Sequence, residues 1–263
     1  MKLFSKNSFL AVLVLIAGAT YISSCTKHND TPPAPYSNSP VIKRGNAVML
    51  PGNMTAGNAN EWKLDKVHSS TLWSANYMAA AGLLTGRFDQ FGMHDLQPAE
   101  MIKYNTHAQP VKDTSWAFYE SEPEKTYFSG YVQINTSNTG EPGRDAGCNI
   151  SGMGTVAIDT AAQNLTVTNV AKIKTTKVEF DPYSADYIVT MNLIWQGKMG
   201  SVITKTVVGK LKYIKRATIA GTAPYDVFGL QLTFQFNCRD FGITSTSVSD
   251  KIDIQCNMNF NNK

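Results

Sequence analysis

Charge is scarce in this chain: Asp, Glu, Lys and Arg make up 17% of its 263 residues. The formal balance of +4 is too small for the basic face that a nucleic-acid site or a polybasic membrane patch requires. No apolar run reaches the roughly 20 residues that a membrane-crossing helix needs. The signatures of common catalytic chemistries are missing too. Neither a dinucleotide-binding G-x-G-x-x-G nor a Walker loop occurs, and there is no G-x-S-x-G or H-E-x-x-H. The four histidines (His28, His68, His94 and His107) are scattered. His68 and His94 are the pair that folding could unite on a metal, but a hydrogen-bonded structural role suits them better. No catalytic residue, metal site or cofactor is expected. Material for a core is ample, at 43% hydrophobic residues, so general disorder is excluded.

The N-terminus carries the most specific local signal. Lys2 and Lys6 precede an apolar run of 14 residues, Phe9 to Ile22, which ends in Ser23-Ser24-Cys25. That length fits a signal-peptide core. An aliphatic residue, two small residues and a cysteine match the bacterial lipoprotein box. Residues 1–24 are therefore expected to be removed and Cys25 to be acylated, anchoring the mature chain to a membrane. Loss of Lys2 and Lys6 lowers the formal charge by two. Thr26, not Asp, follows the cysteine, which favours the outer membrane. Residues 25–60 then read as a tether: Pro32, Pro33, Pro35 and Pro40 favour extended polyproline II, and Asn, Ser and Gly fill much of the rest.

From Glu61 the pattern changes to strand alternation. Thr71, Trp73, Ala75 and Tyr77 fall on one face of an extended run, and a second run opens at Thr85-Gly86-Arg87-Phe88. Between Leu96 and Glu124 the chain is polar and broken by prolines, and it returns to strand at Tyr127 to Asn135 with Phe128, Val132 and Ile134 on one face. Lys172 to Phe180, Tyr187 to Trp195 and Val202 to Tyr213 read as successive antiparallel strands. Turns are supplied by Asp181-Pro182-Tyr183-Ser184 and Gly197-Lys198-Met199-Gly200. Leu230 to Cys238 and Ile252 to Phe260 alternate in the same way. The expectation is one all-β domain over residues 61–263, an antiparallel barrel of about eight strands with a short helical segment, closed by its first and last strands so that no edge is left exposed.

Two stretches resemble the YceI-like family. The first is Trp62-x-Leu64-Asp65-x-x-His68-Ser69, followed by the alternating strand and Gly86-Arg87-Phe88. The second is the closing hairpin, with Arg239-Asp240-Phe241-Gly242-Ile243 and Val248-Ser249-Asp250-Lys251-Ile252. Ile134-Asn135-Thr136-Ser137 with Arg144-Asp145 is similar as well, although Ala146-Gly147-Cys148 departs from the helix usual there. The resemblance implies a lipocalin-like barrel that binds a polyisoprenoid or similar long apolar lipid, such as an isoprenoid quinone. It places Trp73, Tyr77, Phe88, Val132, Ile134, Met191, Leu193, Phe234, Phe236 and Ile254 along one apolar tunnel. Arg144-Asp145 and Arg239-Asp240 then either orient a ligand headgroup or form strand-end ion pairs. A filled barrel acting as an envelope interaction module and a lipid-acting enzyme remain the alternatives, and a homodimer stays open.

With Cys25 acylated, Cys148, Cys238 and Cys256 remain. A hairpin register centred near residue 247 sets Cys238 opposite Cys256. A disulfide between them and a pair of buried free thiols are equally compatible with the sequence.

Overall fold

Strict alternation shapes most of this sheet. The structure is a computed structural model that describes residues 62–77, 82–93, 116–119, 123–147 and 166–263, within the unit Val41–Lys263. The expected leader and tether, with Cys25, and also His94, His107 and Cys148 lie outside the described residues. In chain order the strands are β1 (Lys63–Leu64), β2 (Ser70–Tyr77), β3 (Gly82–Phe88), β4 (Phe91–Gly92), β5 (Trp116–Ala117) and β6 (Tyr127–Gln133). They continue with β7 (Ser137–Asn138), β8 (Val170–Asp181), β9 (Asp186–Trp195), β10 (Ile203–Ile219), β11 (Tyr225–Asn237) and β12 (Lys251–Asn261). A short helix, α1 (Pro142–Gly147), follows β7.

Strands β8 to β12 form consecutive antiparallel hairpins, β12 pairs with β2, and β2 with β3. Thr71 lies opposite Cys256 and Trp73 opposite Ile254. The remaining seam is made by two interrupted lengths of chain. β4 continues β3 after Asp89 and Gln90, and β7 continues β6 after a 3-10 turn, Ile134–Thr136. They pair on both sides of the interruption, Phe88 with Ser137 and Phe91 with Val132. Backbone bonds from Asp89 to Thr136 and from Gln133 to Gln90 bridge the gap. The strongly curled sheet therefore meets itself, and eight lengths of chain surround a lumen.

Inward and outward positions follow from the pleat. On β9, Tyr187, Val189, Met191, Leu193 and Trp195 are all buried while their neighbours are half-buried. β12 repeats this with Ile252, Ile254, Cys256, Met258 and Phe260. β8 breaks the rule: its pairing slips by one residue between Thr175 and Lys177. The inward set changes there from Ala171, Ile173 and Thr175 to Val178 and Phe180. A bulge of this kind has no marker in the sequence pattern, since the extra residue, Thr176, is an ordinary strand former.

The two ends of the barrel are closed differently. At one end, rings from distant parts of the chain stack together. Phe228 lies parallel to Phe260 with centroids 4.6 Å apart, Trp62 meets Phe228 edge-on at 4.8 Å, and Trp116 reaches Phe260 at 4.6 Å. Phe118 adds contacts to Tyr187 and Tyr213. At the other end, residues 238–250 fold across as a cap. Fully buried Phe241 packs on Trp195 and Phe236. Gly197 has φ +57, and a Cβ there would strike the carbonyl of Phe241, so only glycine permits this closure.

The cysteines correct one expectation. The β11–β12 register pairs Cys256 with Leu232 and Asn237 with Lys251, so the hairpin is centred near residue 244 rather than 247. Cys238 and Cys256 are consequently several residues out of register, and both are buried free thiols. Too long a strand separation lies between them for a bridge.

Candidate ligand-binding site

The lumen holds an apolar cavity with ≈ 70 Å³ open to the centres of water molecules. One water needs roughly 10–15 Å³ on that measure, so the space is narrow. It is also long: its lining extends along β11 from Leu230 to Phe236, about 20 Å of strand. All eight lengths of chain contribute to the wall. Room exists where side chains are small. Gly92, Gly130 and Ala171 line one side, and a Cβ on Gly130 would press on the carbonyl of Gly92 at 3.3 Å. The rest of the wall is aliphatic and aromatic, with Leu193, Leu211, Leu232, Phe236 and Met258.

No charged side chain lines this cavity. The polar side chains among its lining residues are those of Thr71, Tyr131, Trp195 and Cys256. The Trp195 indole donates to the carbonyl of Thr168 at 2.6 Å. Burial pushes the Tyr131 phenol and the Cys256 thiol each up to about 12, so both stay neutral at physiological pH. Among the described residues no group of three or more potential metal ligands occurs.

Seven of the ten residues expected along a tunnel line this cavity: Phe88, Val132, Ile134, Leu193, Phe234, Phe236 and Ile254. The other three do not. Trp73 sits directly opposite Gly86 on β3, with its indole lying where a Cβ at that position would be. Its Nε1 donates to Ser137 Oγ at 2.8 Å. The indole fastens β2 to the β7 seam, which is the physical reason for the glycine in Gly86-Arg87-Phe88. Trp73 borders a separate open depression among Arg87, Asn138 and Asp253. Tyr77 is 40% exposed, because Val248 of the cap bridges to its backbone and takes the inward place. Met191 points inward but is fully packed, its Cε lying over Gly209.

Arg239, Asp240 and Asp145 of the two Arg-Asp pairs have structural partners. Arg239 donates to Asp250 Oδ1 at 2.8 Å and to the carbonyls of Ile243, Ser245 and Val248 at 2.7–2.9 Å, pinning the cap. Asp240 pairs with Lys205 at 3.2 Å. Asp145 accepts from the backbone and hydroxyl of Thr139 at the entry to α1. His68 is an exposed partner of Asp65, at 2.8 Å.

Residues that the pattern did not single out include Thr71, Met93, Gly130, Ala171, Leu211 and Cys256. Thr71 and Cys256 were visible as inward positions, but small and weakly polar side chains give no hint of a ligand surface. Met93 reaches the cavity through the seam, and Ala171 lies opposite Val132 on the β6–β8 ladder.

The fold is a closed antiparallel barrel with an uncharged interior, a class whose lumen is either filled by side chains or holds one small ligand. The particular family is given by sequence: residues 62–260 match the model of the YceI-like domain, and the chain belongs to that family. No curated protein matches it at a comparable level. Among solved structures it is similar to Burkholderia cenocepacia BcnA at 13% identity and TM-score 0.46, covering 75% of this chain and 99% of the other. It is also similar to a polyisoprenoid binding domain from Saccharophagus degradans implicated in plant cell wall breakdown, at 14% identity and TM-score 0.35, covering 76% and 97%. A Campylobacter jejuni YceI protein gives 15% identity and TM-score 0.39 over 68% and 85%.

Proposed function

We propose that this chain is an envelope lipoprotein whose barrel holds a polyisoprenoid or similar long apolar lipid, such as an isoprenoid quinone, for carriage or storage rather than catalysis. The observation that carries this reading is the elongated cavity, walled by all eight lengths of chain that form the barrel and free of charged side chains. Burial without directed polar contacts can supply the affinity: each enclosed heavy atom of a larger ligand contributes roughly −0.3 kcal/mol, so retention scales with the length of chain that the lumen takes in. Membership in the YceI-like family supports the same reading. Acylation at Cys25 and a tether over residues 25–60 would hold the barrel near its lipid source, and Thr26 favours the outer membrane.

Native mass spectrometry of the protein purified from its own envelope tests this directly. A co-purified apolar lipid is expected. Protein free of lipid, together with failure to take up any apolar chain, would sink the carrier reading. A filled-barrel interaction module would then be favoured, and the narrowness of the cavity is the observation on its side. For the anchor, fatty-acid labelling should vanish in Cys25→Ala; label that survives refutes it.

A further inference from the structure

Within the apolar lumen one hydroxyl has only a thiol beside it. Thr71 is 1% exposed and lines the cavity, and Cys256 lies directly opposite it across the β2–β12 ladder. A hydrogen bond between the two opposes the upward push of burial on the thiol, but sulfur is a weak partner, and Thr71 Oγ1 meets no nitrogen or oxygen partner among the described residues. A buried polar group left this way costs free energy that a partner would recover. Water is a poor candidate for that partner. It needs two to four polar neighbours, and the wall near Thr71 is otherwise built from Phe88, Leu211 and Leu232.

Resting on the carrier reading, we propose that Thr71 is the seat of the ligand's head group. The bound molecule is a long apolar chain ending in an uncharged oxygen, a carbonyl or hydroxyl, which enters the barrel and accepts a hydrogen bond from Thr71 Oγ1. A phosphate head is excluded from this position, because the cavity wall offers no cation to compensate it. The seat lies two residues along β12 from Met258 and four from Phe260 of the aromatic end. The head is thus held deep in the barrel near its packed end, and the tail runs past Ile254 toward Phe236.

The test is displacement of a fluorescent apolar dye from the full-length protein by three chains: an isoprenoid quinone, squalene, which has no oxygen, and a polyprenyl phosphate. Thr71→Val keeps the shape and removes the donor. It is expected to weaken the quinone about tenfold, to leave squalene unchanged, and to keep or raise the melting temperature. Thr71→Ser should restore quinone affinity. The phosphate chain should displace the dye far more weakly than the quinone. Quinone and squalene losing equally, a quinone indifferent to the substitution, or a phosphate chain as strong as the quinone would each overturn the placement of the head. Failure of both quinone and squalene to displace the dye from the parent protein would overturn the carrier reading itself.

Discussion

Four positions along β12 separate Phe260 from Cys256, and over that distance the barrel changes from solid to hollow. Both residues point inward and both lie on the same alternating face. Around Phe260, Trp62 just before β1 and rings from β5, β11 and β12 meet at centroid distances of 4.6 to 6.3 Å. Around Cys256, the facing residues are Thr71, Leu232 and Phe88, with Gly130 and Ala171 elsewhere on the wall. An eight-stranded barrel is only just wide enough to be filled by its own side chains. Four or five aromatic rings stacked on one another at one level fill it; at the next, Phe88 stands among Thr71, Cys256 and Leu232 and space is left. The room inside therefore depends on whether rings meet one another across the lumen, not on how apolar the wall is.

The sharpest way to break that contrast is to open the solid end. Phe260→Ala removes a fully buried ring from the centre of the cluster and should cost about 3–5 kcal/mol, read as a shift in urea midpoint. A loss under about 1 kcal/mol would mean that this end is not close-packed. At the capped end, Arg239→Ala strands three backbone carbonyls and the Asp250 carboxylate. About 2 kcal/mol of destabilisation is expected, with faster hydrogen exchange confined to residues 243–250. Exchange rising uniformly through β8 to β12 instead would show that the cap is not a separable unit.

Filling the hollow level should do much less to folding. Leu193→Trp adds volume toward the lumen, and stability should change by less than about 1 kcal/mol while ligand co-purification is lost. In a packed core the same insertion costs roughly 1–3 kcal/mol, so a fall of that size with no lipid in the parent protein identifies a solid barrel. Ile134→Trp serves as the independent repeat.

The smallest effect lies outside the lumen. Burial acts to raise the pKa of Asp65, but hydrogen bonds from His68 outweigh it and hold the carboxyl below its ordinary value. A depressed pKa stabilises the fold fully above the unfolded value, near 4, and the contribution fades as pH falls below that. Asp65→Asn should cost a few tenths of a kcal/mol at pH 7. The difference from the parent should shrink as pH drops from about 5 to 3. A gap that widens on acidification would contradict the sign of the shift.

Much of this architecture was already legible in the residues. Period-two alternation from Tyr187 to Trp195 and from Ile252 to Phe260 fixes which side chains face inward, because the pleat permits no other arrangement. The turn at Asp181-Pro182-Tyr183-Ser184 and the Gly197 turn are local chemistry, and both form where their residues demand. Trp73, Ala75, Phe88 and Phe236 could be assigned to the interior on the same grounds. What alternation cannot encode is register, because sliding a strand by two residues preserves the pattern. That is why Cys238 and Cys256 do not meet. It is also why the seam between the β3–β4 and β6–β7 lengths, with Met93 and Gly130 in the cavity wall, had no sequence signature. The depth of the lumen was likewise decided only by tertiary structure. Whether Met191 packs over Gly209 or opens onto space, and whether the Thr71 hydroxyl finds an acceptor, depends on side chains brought in from strands far apart in the chain.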